Sequence, residues 1–579
     1  MAEEFSSNSS KVAGFERNFL DPTTPITRIG EGELGGKARG LVFIRDVLNR
    51  SFEAGEFPET RLAIPSLAVI GSGVFDAFME RNDLTKTVTA ELSDQRLSHA
   101  FQQAELPFEV LGDLRAIVDS VHRPLAVRSS SLLEDQKQEP FAGIYATKMI
   151  PNNQYDPDVR FRQLVEAIKF VYASTYSRNA KNYRKATGHP DSDEKMAVII
   201  QEVVGKRYHE RFYPELSGVA RSYNYYPFKP AKPDDGVVNL ALGLGKIIVD
   251  GGVSWTYSPT HTKAVMPYGS VQQLLKESQT VFWSVNMGEL KVFDPIKETE
   301  YLLLENIQAA EKDQSLRYLA STYSSHHDRL SIGVGTPGAR VLNFAPLLVV
   351  EQAPLNPLVR KLLSVCQEAL GGPVEIEFAM TFDPHYFGFL QVRSMVVPKG
   401  QVEVSDSDLH GEQVLVGSST VLGNGILEDI HDVVYIKPES FELKNTRAIV
   451  PELEALNKKF LAENRPYLLI VFGRLGTSDP WLGIPVNWGQ VSKAKVIVEA
   501  TQSNARVELS QGSHFFHNII NLDVKYFSLA FIDQQFLDWD WLNSQNVIEE
   551  THYLRHIRTA APLETRVDGR SGRGVILKG

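Results

Sequence analysis

Three stretches carry residue types able to handle an anionic ligand. The first is Leu125-Ala126-Val127-Arg128-Ser129-Ser130-Ser131, followed by Glu134-Asp135 and Phe141-Ala142-Gly143. An apolar run that ends in an arginine and three hydroxyls presents a fixed cation and small donors at a sheet edge, where a phosphate can dock. The Phe-Ala-Gly behind it is small and flexible enough to cover phosphates. A surface turn with ordinary serine chemistry would use the same residues. The second stretch is Gly30-Glu31-Gly32-Glu33-Leu34-Gly35-Gly36-Lys37, leading into an amphipathic helix. Glycines ahead of a helix leave backbone N–H groups free, and Lys37 adds a mobile charge there. The spacing is not that of a Walker A loop, and a turn that merely starts a helix accounts for it equally. The third pairs Val374-Glu375-Ile376-Glu377 with Gln391-Val392-Arg393 across Asp383-Pro384. As a hairpin, these would put Glu375, Glu377, Gln391 and Arg393 on one face. Two carboxylates at that spacing suit a hard cation bridging phosphate oxygens, although an exposed sheet face alternates in the same way.

The elements that must hold these groups belong to a chain of 579 residues, long enough for two to four domains. A hydrophobic content of 43% and a charged content of 23% are ordinary for globular proteins. The net charge of -11 argues against nucleic acid or an anionic membrane surface as main partner, yet leaves room for a basic pocket around an anionic small molecule. The one cysteine, Cys366, lies in an apolar helical pattern and excludes an internal disulfide or a cysteine metal cluster. The Ser-rich, acidic start lacks the apolar core of a signal peptide, and no apolar run is long enough for a bilayer. A cytoplasmic setting is expected.

Coarse periodicity predicts a flexible arm over 1–27, a strand over 61–70, helices over 71–79 and 84–119, and a long helical pattern over 156–187. Met196 to Val204 reads as a strand whose polar end, Gln201-Glu202, can face an adenine edge; a plain buried strand looks the same. Gly243, Gly245 and Lys246 interrupt another apolar run, a sign of close backbone approach. Residues 256–345 resist assignment, and His326-His327-Asp328 reads as a solvated loop rather than a metal site. Residues 399–411 form a charged linker. A second α/β unit is expected over 412–579, with strands at 414–416, 433–436, 468–472 and 494–498 and a turn-rich tail over 567–576.

In this order the pieces resemble the N-terminal nucleotide-binding domain of the pyruvate phosphate dikinase and phosphoenolpyruvate synthase family, to which the phosphotransferase acting on rifampin is similar. Gly35-Gly36-Lys37, Val127-Arg128-Ser129-Ser130 with Glu134-Asp135, Met196 through Gln201, Ser217-Gly218-Val219, Gly243-Leu244-Gly245, Glu375-Ile376-Glu377 and Gln391-Val392-Arg393 carry the resemblance over residues 28–398. It implies an α/β ATP-grasp fold with ATP between two α+β lobes and Mg²⁺ at the carboxylates, followed by a smaller swivelling-domain-like α/β unit. By position, Lys37 and Arg128 would bind phosphates, and Ser129, Gly243 and Gly245 would also belong to the nucleotide site. Gln201 and Glu202 would lie at the adenine, Glu375 and Glu377 would hold metal, and Gln391 and Arg393 would approach the γ-phosphate. Ser394 departs from the family's proline. Gly512-Ser513-His514 resembles the turn that carries the family's phosphorylated histidine, with Phe515-Phe516 in place of small residues. His514 is therefore the expected phosphoryl carrier, with His517 as the second choice. The family's barrel domain has no counterpart in this sequence. The expected activity is ATP- and Mg²⁺-dependent phosphoryl transfer, through His514 or directly, to an unidentified acceptor, either a small molecule or a partner protein. A homodimer is left open. The alternative is a non-catalytic nucleotide-binding module that docks a partner.

Overall fold

The strand that ends in Arg128-Ser129-Ser130-Ser131, Leu125–Ser131, lies one place in from the edge of a five-stranded sheet. Its order is Ile26–Ile29, Leu67–Ile70, Met196–Glu202, Leu125–Ser131, Thr147–Ile150, with only the first pair parallel. The chain is described by a computed structural model covering residues 12–20, 24–53, 55–90, 92–134, 143–187, 194–225, 227, 230–263, 271, 274–275, 278–290, 292–395, 397, 402–477, 479, 481–501, 515, 519, 522, 524–529, 537–569 and 571–579. Branched residues suit the middle of this sheet: Val127, Val198 and Ile200 are fully buried. The helices Phe108–Ser120 and Pro157–Ser174 bury Leu114, Ile117, Leu164 and Ile168 in the same core.

A second, six-stranded sheet faces this one. It runs Trp255–Tyr257, Val237–Ala241, Leu216–Arg221, Val374–Thr381, His385–Ser394, Thr60–Ala63. The Val374–Thr381 and His385–Ser394 strands form the expected hairpin, Glu375 opposite Arg393 and Glu377 opposite Gln391. Two smaller sheets fill much of the stretch that periodicity left unassigned: Val281–Asn286 with Leu302–Asn306, Arg211–Tyr213 and Lys206–Tyr208, and a three-stranded sheet over 320–342. His326-His327-Asp328 is an exposed turn in the latter. These sheets and helices make the mixed α/β architecture expected of an ATP-grasp domain.

Several expected elements differ. The single strand over 61–70 is two strands in two sheets, Thr60–Ala63 and Leu67–Ile70. Pro65 cannot donate to a ladder, and the chain crosses between sheets there. The helical pattern over 156–187 is two helices, Pro157–Ser174 and Arg178–Thr187. The Ser177 hydroxyl, accepting from the Ala180 amide at 3.2 Å, caps a new helix instead of continuing the old one. Within the expected arm, Val12 and Phe19 are buried and Gly14 bridges to Arg28.

From Val414 onward all the described strands except the pair Arg474–Leu475 and Gly483–Ile484 join one nine-stranded sheet. At its centre Gly425–Ile436, Tyr467–Phe472, Ala494–Ala500 and Lys525–Leu529 run parallel. The tail is no turn-rich end: Leu554–Asp568 and Arg573–Leu577 form a hairpin, closed by the Gly572 amide donating to the Asp568 carbonyl at 3.0 Å. This unit touches both lobes. The Gly489 amide donates to Asn179 Oδ1 at 3.4 Å and Glu454 lies 3.8 Å from Arg178, on the first lobe. Arg474 and Thr477 both donate to the Gly251 carbonyl, at 3.0 and 3.3 Å, on the second. Among the described residues, no helix is long and apolar enough to cross a membrane.

Candidate functional site

Lys37 is placed by a close fit of turn against strand. Gly35, at a φ of +74°, lies so near the Leu125–Ser131 strand that a Cβ would fall 1.7 Å from the Ser130 carbonyl oxygen. Only glycine fits. The Ser130 hydroxyl donates to the Leu34 carbonyl at 2.8 Å and accepts from the Ala38 amide at 3.1 Å, which ties the helix Gly35–Ser51 to the strand end. Lys37 Nζ then meets Glu134 Oε1 at 2.6 Å and Ser129 Oγ at 3.1 Å. Glu134 is itself held by the Ser129 hydroxyl at 3.0 Å and the Ser131 amide at 2.8 Å.

Arg128 reaches the other way. Its Nη2 donates to Gln391 Oε1 at 2.7 Å, and its Nη1 to the Leu390 carbonyl at 3.1 Å and Gln201 Oε1 at 3.2 Å. Glu377 lies 3.7 Å from Arg128 and 3.7 Å from Arg393. Arg393 Nε donates to Glu375 Oε1 at 2.7 Å, while Arg221 Nε donates to Glu375 Oε2 at 2.6 Å.

These groups border a cavity of about 520 Å³ between the lobes. Lys37, Arg128, Gln201 and Glu202 come to it from the first lobe, and Gly245, Glu377, Gln391 and Arg393 from the second. Ala126, Met149, Val203, Val204, Leu244 and Leu302 give one part of it apolar walls, of the kind a planar base needs. Burial pushes the Glu202 carboxyl above the usual range, against the pull of Arg123 and Arg61. Opposite, Lys246 faces Asp250 at 3.0 Å and Glu298 at 3.8 Å. Lys148, buried with Glu300 at 2.7 Å, fastens the 295–302 segment over the first sheet.

Three expected site residues lie off the cavity wall. Ser129 is buried behind Lys37. Gly243, at a φ of +82°, keeps its place because a Cβ would meet the Trp283 carbonyl at 2.6 Å, and its own carbonyl accepts from Ser217. Glu375 is 1% exposed, with both oxygens against guanidinium groups. His514, His517, Asp135, Phe141 and Ala142 lie outside the described residues. Sequence reading gave no role to Glu134, Arg221 or Lys148. The signal for Arg221 and Lys148 was a charged residue within a short strand of small and apolar residues, Arg221 at the end of Leu216–Arg221 and Lys148 in Thr147–Ile150.

The profile described as pyruvate phosphate dikinase, AMP/ATP-binding domain, matches residues 31–412. This chain belongs to the pyruvate phosphate dikinase family. Its match to that family takes in both lobes and every cavity residue named above. The chain is 27% identical over 195 residues to the uncharacterized phosphotransferase YvkC of Bacillus subtilis (strain 168), covering 33% of this chain and 21% of that protein. It is 25% identical over 242 residues to a phosphoenolpyruvate synthase of Aeropyrum pernix, covering 38% and 26%. It is 28% identical over 173 residues to a rifampicin phosphotransferase of Streptomyces sviceus, covering 29% and 17%. The matched stretches thus span about a quarter or less of these relatives' own length.

Proposed function

We propose that this protein binds ATP between its two lobes and transfers a phosphoryl group from it, either to His514 for onward transfer or directly to an acceptor, a small molecule or a partner protein. The observation that carries this is the convergence on one cavity of Lys37 and Arg128 from the first lobe with Glu377, Gln391 and Arg393 from the second. Phosphoryl transfer asks a protein mainly to position the reacting oxygens and to neutralise charge. Lys37 and Arg128 would take phosphate oxygens, Arg393 would meet charge developing on the transferred group, and Gln201 and Glu202 would border the base. Glu377, half-buried on the wall beside Gln391, suits a Mg²⁺ ion, which when bound would neutralise phosphate charge. The single, buried Cys366 agrees with a reducing compartment such as the cytoplasm.

The alternative, a nucleotide-binding module that docks a partner without transfer, draws support from the C-terminal unit's contacts with both lobes. Incubation with γ- and β-labelled ATP separates the two. An acid-labile phosphoprotein that disappears in His514→Ala is expected for the carrier reading. ATP retention without label in any product or in the protein would leave the module reading.

A further inference from the structure

Behind and along the second-lobe wall of the cavity the charges alternate: Arg221 and Glu375 buried behind it, then Arg393, Glu377 and Arg128 on it. Glu375 accepts from Arg221 Nε at 2.6 Å on one oxygen and from Arg393 Nε at 2.7 Å on the other. The side chains of Arg221 and Glu375 are each 1% exposed, and Arg393 is 8% exposed. A carboxylate takes a hard cation through oxygen lone pairs, and here guanidinium groups hold both oxygens. Among the described residues no group of three or more His, Cys, Asp or Glu could hold a metal ion. A divalent ion at Glu375 would have to displace these two charge-assisted hydrogen bonds, whereas Glu377 meets Arg128 and Arg393 only at 3.7 Å. Displacing Arg221 would strand a charge where water does not reach it.

We propose that Glu375 is the buried counter-ion of Arg221 and Arg393 rather than a metal ligand, so the site takes one divalent cation, at Glu377. The proposal rests on the nucleotide reading only in assuming that phosphates occupy the cavity.

The test counts Mn²⁺ by electron paramagnetic resonance on the full chain, alone and with a non-hydrolysable ATP analogue. Equilibrium dialysis follows analogue retention in the same samples. The native protein binds one Mn²⁺ per chain. The paired variant Arg221→Gln/Glu375→Gln, which leaves the net charge unchanged, keeps that ion with an affinity within about threefold, while Glu377→Gln weakens it about tenfold or more. Glu375→Gln alone, whose amide oxygen still accepts from an arginine, gives the same count should the paired variant not fold. A native count of two, falling to one in either Glu375 variant, would overturn the proposal. If the native protein does not retain the analogue, the nucleotide reading falls, and the counts with Mn²⁺ alone still decide the place of Glu375.

Discussion

Arg128 on the first sheet donates to Gln391 on the second at 2.7 Å, so a single guanidinium spans the gap between the lobes. The same group holds Gln201 and the Leu390 carbonyl. Arg128 is therefore a cross-lobe tie as well as a cation on the cavity wall.

That double duty separates Arg128 from an ordinary phosphate ligand. Arg128→Met should lower nucleotide affinity about tenfold or more, the worth of one or two charge-assisted hydrogen bonds. Arg128→Lys should recover little of it, because an ammonium cannot serve acceptors on two sheets with a planar fork. Calorimetric titration with ATP analogues checks both, and a lysine variant as tight as the native protein would contradict the tie.

Glu134 is the counter-ion of Lys37, 2.6 Å away. Glu134→Gln should cost the nucleotide-free protein roughly 2 kcal/mol in urea unfolding, since a charged hydrogen bond is lost in a nearly buried place. With saturating nucleotide the deficit should shrink, because phosphate then offsets the lysine. Equal deficits with and without nucleotide would show that Glu134 acts on the fold alone.

In the C-terminal unit, burial pushes the Glu499 carboxyl up to about 7, with the Tyr526 hydroxyl and the Leu475 amide on its oxygens. Its proton is held more tightly folded than unfolded, so stability falls as pH rises from the unfolded value near 4.5 toward 7. Glu499→Gln removes that dependence. The variant should match the native protein near pH 4 and exceed it above pH 7 by an amount of the order of 3 kcal/mol. Denaturant unfolding at both ends of that range is the measurement. A constant difference across pH would place the titration elsewhere.

What could be read from the sequence was local. The hairpin face of Glu375, Glu377, Gln391 and Arg393 follows from alternation, and the structure pairs those residues in register. Lys37 and Arg128 also reach the expected cavity. What stayed hidden depends on partners far along the chain. Arg221 meets Glu375 across 154 positions, and no period or motif encodes that pairing. The split at Pro65 was within reach, since proline forbids an unbroken central strand. The small sheets over 281–342 were not, because short strands with exposed residues such as Leu304 and Ile332 lack a clean buried face.

The C-terminal unit is pinned to Asn179 on one lobe and to Gly251 on the other, each by a few polar contacts. Spreading the lobes must break one of these anchors or carry the unit along with the lobe it keeps. While both anchors hold, lobe spacing and the placement of the C-terminal unit are thus coupled. A ligand that binds one spacing more tightly then biases the C-terminal unit, and a partner that favours one placement of that unit biases the cavity by the same coupling free energy.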